Sequence, residues 1–83
     1  MARFIDVHTE VRRITRERIQ EERERDVALQ DFDGVHFLKA WADPASGRVF
    51  CLSEGPSREA VLHVHELAGH PASEIYEVPI EVL

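Results

Sequence analysis

The chain has 83 residues, 43% hydrophobic and 31% charged, which fits one small domain, residues 1–83, that is marginal alone and expected to self-associate. Its net charge of −6 argues against nucleic acid as a partner, because that binding depends on basic contacts to phosphate. One cysteine excludes an internal disulfide, and the N-terminus lacks a signal peptide's apolar core, so we expect a cytoplasmic protein without a membrane partner.

Residues 3–8 alternate in polarity, which predicts a first strand with one purely apolar face. The other face carries a carboxylate and an imidazole two residues apart, Asp6 and His8.

Residues from about 15 to 31 hold many Arg and Glu and no Pro or Gly, which predicts a helix. Because its charges alternate in sign, we interpret that helix as a solvated face. Its apolar stripe is thin and consists of Ile14, Ala28, Leu29 and Phe32.

Residues 35–42 and 48–53 read as two strands joined by a turn with Pro and Gly at 43–47, which predicts a hairpin. Ser57 is a suitable N-cap for a second helix over 58–68. The apolar stripe of this helix is Ala60, Val61, Val64, Leu67 and Ala68.

A last strand is predicted over 75–82, with Pro79 marking it as an edge strand. The order βαββαβ predicts an α+β, ferredoxin-like sandwich: a four-stranded antiparallel sheet in the order 4-1-3-2, with both helices on one face. We expect the other face to stay open and half apolar and to pair with a second copy, as in dimeric α/β barrels. The residues assigned to this open face are Phe4, Phe37 and Trp41.

Three of the five histidines lie within residues 63–70, where a Gly-His-Pro sequence ends the second helix. In the predicted topology, His8 at the end of the first strand lies at the same rim as His65, Glu66 and His70. A helix C-terminus carries partial negative charge, which favours a cation there. Imidazoles with the Asp6 carboxylate suit nickel, zinc or cobalt, and they do not suit calcium or magnesium.

These residues also have structural interpretations that involve no metal. His36 and His63 are expected to be solvated surface residues, and Cys51 a small core residue. An ion pair with Lys39 explains Asp6 as well as a metal does.

Four sequence blocks, taken together, resemble a family of small bacterial domains of formerly unknown function that includes a nickel-binding protein. The blocks are residues 4–8, Trp41-Ala42-Asp43-Pro44 with Gly47, Phe50-Cys51-Leu52 with Glu54 and Pro56, and 65–71 with Ile75, Glu77, Val78 and Pro79. The resemblance implies a ferredoxin-like fold, a homodimer packed through the open sheet face, and binding of nickel or a similar divalent ion. The positions that it implies for the metal are Asp6, His8, Cys51, Glu54, His65 and His70.

Three functions follow from these observations. The first is a dimeric divalent-metal-binding protein that stores, buffers or senses nickel. The second is a dimeric α/β-barrel enzyme, with a small apolar substrate in a pocket of the lumen and an Asp-x-His pair as general base. The residues proposed for that pocket are Asp6, His8, Lys39, Trp41 and Cys51. The third is a metal-free interaction module that heterodimerises or docks on a larger enzyme.

Overall fold

The computed structural model describes residues 1–29 and 33–83 and has the predicted element order βαββαβ. The predicted end of the first helix at Asp31 and its apolar residue Phe32 lie outside the described residues. The elements are β1 (Ala2–His8), α1 (Arg16–Leu29), β2 (His36–Asp43), β3 (Arg48–Gly55), α2 (Arg58–Leu67) and β4 (Glu74–Glu77).

The strands of the described chain form one antiparallel sheet in the order β2-β3-β1-β4, which confirms the predicted order and a ferredoxin-like fold. β4 is an edge strand, but it has four residues and is shorter than predicted. The amide of Val78 still donates to the carbonyl of Arg3 at 2.9 Å. Pro79 follows without an N–H to continue the pairing, so the strand does not extend to residue 82.

The core lies between the sheet and α2, where Phe4 and Phe37 pack against Val61 and Val64. The assignment of Phe4 and Phe37 to the open face was therefore wrong. A register shift between Phe37 and Lys39 explains why the predicted face of Phe37 is wrong. Because side chains alternate strictly along a strand, an extra residue moves Phe37 to the helix side while Trp41 stays on the other side.

The open face of the sheet is nevertheless largely apolar. Cross-strand pairs place Ile5 beside Leu52 and Tyr76, and Phe50 beside both Val7 and Trp41, on that face. Trp41 and Tyr76 are about half exposed, at 49% and 52%. The Lys39 ammonium lies 5.6 Å from the centre of the Trp41 ring on this same side.

The two helices present different surfaces to the sheet. α2 buries Val61, Val64 and His65, whereas Leu67, which was predicted on its apolar stripe, is 49% exposed. Leu67 is six residues after Val61, which turns it about 120° away from the inward side. α1 buries one residue, Asp26, within the described chain, and Ala28 of its predicted stripe is exposed. Neither helix has the length and hydropathy of a membrane span in the described chain.

Candidate metal centre

Strand β1 supplies the first two polar residues of a buried cluster on the helix side of the sheet. Asp6 is fully buried, and His8 is 7% exposed. Both follow Phe4 at two-residue spacing, so they share its face, which is covered by α2. Cys51 of β3 is the cross-strand partner of Asp6 and therefore lies beside it on the same face.

The end of α2 supplies two histidines, His65 and His70. Ser57 caps the start of this helix, as predicted, by accepting a hydrogen bond from the Ala60 amide at 3.2 Å. At the other end Gly69 adopts φ +87°, which favours glycine, and the His70 amide donates to the His65 carbonyl at 3.1 Å. This helix cap turns the chain back, and the two imidazole rings lie 5.5 Å apart.

The predicted convergence of His8 with the end of α2 is present in the structure. The ring centre of His8 lies 4.9 Å from that of His65 and 5.7 Å from that of His70. One oxygen of Asp6, Oδ2, lies 2.7 Å from Nε2 of His8 and 3.0 Å from Nε2 of His65. A single buried carboxylate oxygen thus faces two imidazole nitrogens.

The hydrogen bonding of the cluster leaves these atoms facing one another without a conventional partner. Nδ1 of His8 donates to the Pro71 carbonyl at 3.2 Å, so the neutral ring carries its lone pair on Nε2. The short contacts of Asp6 lack hydrogen-bond geometry. Among the described residues, the buried atoms without a hydrogen-bond partner include both Asp6 oxygens, Nε2 of His8 and both ring nitrogens of His65.

Helix α1 contributes a residue that the sequence analysis missed, Asp26. Its Oδ1 accepts a hydrogen bond from Nε2 of His70 at 2.6 Å and lies 3.6 Å from Nδ1 of His65. The alternating charges around Asp26 predict a solvated surface position for it. The available signal was its helical spacing, because Ile19, Glu22, Arg23 and Asp26 follow the i, i+3, i+4, i+7 pattern and all line one small cavity beside His8.

The cluster also perturbs acid–base equilibria. Burial opposes the charged form of Asp6, but the contacts from His65 and His8 outweigh it and lower the pKa of this carboxyl. Burial likewise disfavours a charged His8, but the Asp6 carboxylate outweighs it and raises the pKa of this imidazole. Burial, reinforced by the nearby Asp6 carboxylate, raises the pKa of the Cys51 thiol, so the free thiol stays protonated.

The donor atoms fit a transition-metal ion in number, type and spacing. Two groups have ligand atoms that all lie within 4.8 Å of one another: Asp6, His8, Cys51 and His65, and Asp26, His65 and His70. Bonds to an ion of about 2.0–2.3 Å place donors up to about 4.6 Å apart across it, so small side-chain adjustments suffice. Such an ion would bind the buried nitrogens that lack hydrogen-bond partners and the carboxylate oxygen beside them.

The structure does not bring every predicted residue to this cluster. Glu54 pairs instead with Arg3, at 3.1 Å, and both are on the open side of the sheet. Lys39 is also on that side, over Trp41, and so does not pair with Asp6. The pocket proposed for an enzyme is thereby split, since Asp6, His8 and Cys51 face the helices.

Two histidines lie away from the cluster, as expected. His36 is exposed on β2. His63 is on the outer side of α2, where its Nδ1 lies 2.6 Å from a carboxylate oxygen of Asp33.

Fold and cluster together define a small ferredoxin-like α+β domain with a buried His–Asp–Cys group between its sheet and helices. Comparison with family models identifies it more closely. The family described as "Nickel responsive protein SCO4226-like" matches residues 4–78, and the chain belongs to this family, which confirms the resemblance found in the sequence.

A solved structure supports the same assignment. The chain is 52% identical to SCO4226 from Streptomyces coelicolor A3(2), whose crystal structure superposes with a TM-score of 0.95. The match covers 98% of this chain and 100% of that one. Comparison with curated proteins gave no significant match.

Proposed function

We propose that the protein binds a divalent transition-metal ion of the nickel type at Asp6, His8, His65 and Cys51. The observation that carries this proposal is the convergence of two imidazole nitrogens on one fully buried carboxylate oxygen, without hydrogen bonds that would satisfy them. Such a group is costly to bury unless a positive charge joins it, which is a proton on His8 in the metal-free protein and the bound ion in the loaded one. The family description supports nickel among the metals that nitrogen-rich sites prefer.

The surroundings of His8 support a ligand role for its Nε2. Metal-binding histidines usually donate their other ring N–H to a carbonyl or carboxylate, which fixes the tautomer and the ring orientation. The Pro71 carbonyl accepts such a hydrogen bond from Nδ1 of His8. The ion itself would supply a positive charge that joins the donors, and the Pro71 carbonyl holds the tautomer of His8.

Small donor spacing and near-complete burial favour an ion over an organic ligand. The cavity beside His8, Cys51 and His70 has room for about one water-sized group, roughly 20 Å³. That space suits an ion or a water molecule. Binding, storage or sensing of the ion is therefore the function that the site supports, and the ion is the cargo.

We also propose that the protein acts as a homodimer through the open sheet face. Two neighbouring cross-strand pairs on this face, Ile5 with Leu52 and Phe50 with Trp41, are apolar, and half of the Trp41 surface meets solvent. An apolar sheet face of this kind is stabilised by pairing, and an 83-residue chain benefits from the added core. The partner that this surface fits is a second copy, because a two-fold symmetric interface pairs this apolar patch with itself.

Calorimetric titration of nickel into the metal-free protein tests the metal site. We expect Asp6→Asn and His8→Gln to weaken nickel binding at least about tenfold, since losing even an outer partner of a ligand costs about 10–100-fold. The matched control is His36→Gln, which removes an exposed imidazole and should leave the affinity unchanged. Equal affinities in all four proteins, or an absence of binding in the unmodified chain, would refute the site.

A further inference from the structure

We propose that an extended acidic peptide of a partner protein binds in a groove between α1 and the outer edge of β2, where it adds a strand to the sheet. The groove has a volume of about 670 Å³. None of the proposed metal ligands lines it, so this inference does not depend on the metal. The side chains that carry the argument are Ile14, Ile19, Arg16, Arg23, Lys39 and Ala42.

The outer edge of β2 offers backbone groups to an added strand. β2 is the first strand of the sheet, so one of its sides has no neighbouring strand. Arg23 shows that this edge faces α1, because its guanidinium donates to the Leu38 carbonyl at 3.3 Å. Within the described chain, residues 39–42 make no backbone hydrogen bond outside the sheet. An extended peptide pairs with such an edge through main-chain hydrogen bonds.

The charges of α1 are sorted by face, and the groove receives a basic one. The α1 residues that line the groove follow the i, i+3, i+4, i+7 spacing of one helix face and are Arg16, Ile19, Gln20 and Arg23. Among the described residues, no carboxylate lines the groove, although the chain has a net charge of −6. The alternating charges of this helix, which predict a solvated face, thus include a local basic surface beside β2.

The cations of the groove are available to a partner. Among residues 1–29 and 33–83, Arg16, Arg23 and Lys39 form no ion pair with a carboxylate. The Lys39 ammonium instead lies 5.6 Å from the centre of the Trp41 ring. Like charges oppose pairing of this edge with the same edge of a second copy, whereas an acidic strand meets opposite charges. The charge of the groove therefore selects an acidic peptide.

The helix side of the groove has space for apolar side chains. Ala40 and Ala42 are paired with Cys51 and Val49 and so lie on the helix side of β2, where Ala42 is exposed. Ile19 of α1 is half-buried and forms the opposite wall. Because side chains of an added strand alternate, every second residue of the peptide faces these apolar groups and the others face the side of Lys39. Alternating apolar and acidic residues fit both.

Fluorescence anisotropy of a labelled peptide of alternating Glu and Val, added to the full-length chain, tests the proposal. We expect saturable binding that weakens with salt, and no binding of the same peptide with Lys in place of Glu. Arg16→Glu and Lys39→Glu should each weaken binding at least about threefold. The matched control is Arg25→Glu, which changes the net charge equally at an exposed α1 position outside the groove. It should keep the affinity within about twofold.

Methylation of alternate backbone nitrogens of the peptide separates strand addition from simple charge attraction. Every carboxylate stays, but one of the two alternate sets of N–H groups no longer donates to β2. Methylation of one set should abolish binding and methylation of the other should not, and the bound peptide should slow hydrogen exchange at residues 39–42.

Four results would overturn the proposal: no binding of the acidic peptide, equal binding of both methylated peptides, or an equal loss of affinity in Arg25→Glu and Arg16→Glu. The fourth is slow exchange at residues 39–42 that rises with chain concentration and needs no peptide, because it would assign the groove to a second copy.

Discussion

Replacing Asp6 by Asn in the metal-free protein gives the sharpest test of the buried cluster. The substitution keeps the shape of the side chain and removes the charge that faces Nε2 of His8 at 2.7 Å and Nε2 of His65 at 3.0 Å. Removing one partner of a buried ion pair costs about 3–5 kcal/mol, and we take the lower end because Asn retains polar contacts. About 3 kcal/mol corresponds to a fall in Tm of roughly 12–24 °C for a domain of this size.

The pH dependence of this loss follows from the two shifted groups. The pKa of His8 is raised, so its stabilising contribution is complete below about pH 6.5 and is lost as pH rises through the folded value. The pKa of Asp6 is lowered, so its contribution is complete above about pH 3.8 and is lost as pH falls through the folded value. The Tm difference should therefore be largest between about pH 4 and 6.5 and should shrink as pH rises through the folded pKa of His8.

Thermal unfolding followed by circular dichroism in a chelating buffer measures this difference. Glu24→Gln is the matched control, since Glu24 is exposed on α1 and its loss of charge should change the free energy of unfolding by less than about 0.5 kcal/mol. An Asp6→Asn variant as stable as the unmodified chain at about pH 5.5 would refute the ion-pair reasoning. So would a loss that keeps the same size as pH is raised from about 5.5 until His8 has lost its proton, followed by NMR of its imidazole.

Three further substitutions or conditions probe the ion, the helix cap and the open face. Nickel affinity measured by calorimetry should fall as pH decreases through the raised pKa of His8, because proton and ion compete for Nε2; a pH-independent affinity contradicts this. Gly69→Ala should lower the free energy of unfolding in urea by about 1–2 kcal/mol, since φ is +87° there, and no change would argue against that cap. Trp41→Glu should convert dimer to monomer in analytical ultracentrifugation, and a persistent dimer would exclude this face.

Much of the architecture could be predicted from local signals in the sequence. Alternation in β1, the Pro–Gly turn of the hairpin, the Ser57 cap and the Gly69 stop each have a local physical cause, and their order implies the topology. That topology alone places His8 near His65 and His70. The prediction of faces failed at β2, because the register shift after Phe37 depends on pairing with β3 and leaves no signature in β2 itself.

The candidate site was predictable only in part, because tertiary packing decides which polar side chains of a helix face inward. Asp6 and His8 are two residues apart on one strand, so their common face follows from the sequence. Asp26 does not stand out, because it is one of many charged residues in α1 and only packing shows which of them faces inward. Glu54 is the converse case. The family resemblance implies that Glu54 is a metal ligand, but strand alternation places it on the other side of the sheet.

The weak apolar packing of α1 affects which part of the protein unfolds locally. Its single buried residue in the described chain is a carboxylate, and Leu29 is the residue of α1 that packs against the apolar core. Hydrogen bonds attach the rest of α1, one between Asp26 and His70 and one from Arg23 to the Leu38 carbonyl at 3.3 Å. Because little apolar area is lost when it detaches, α1 should open as a separate unit, and its amides should exchange with deuterium before those of α2 and the central strands.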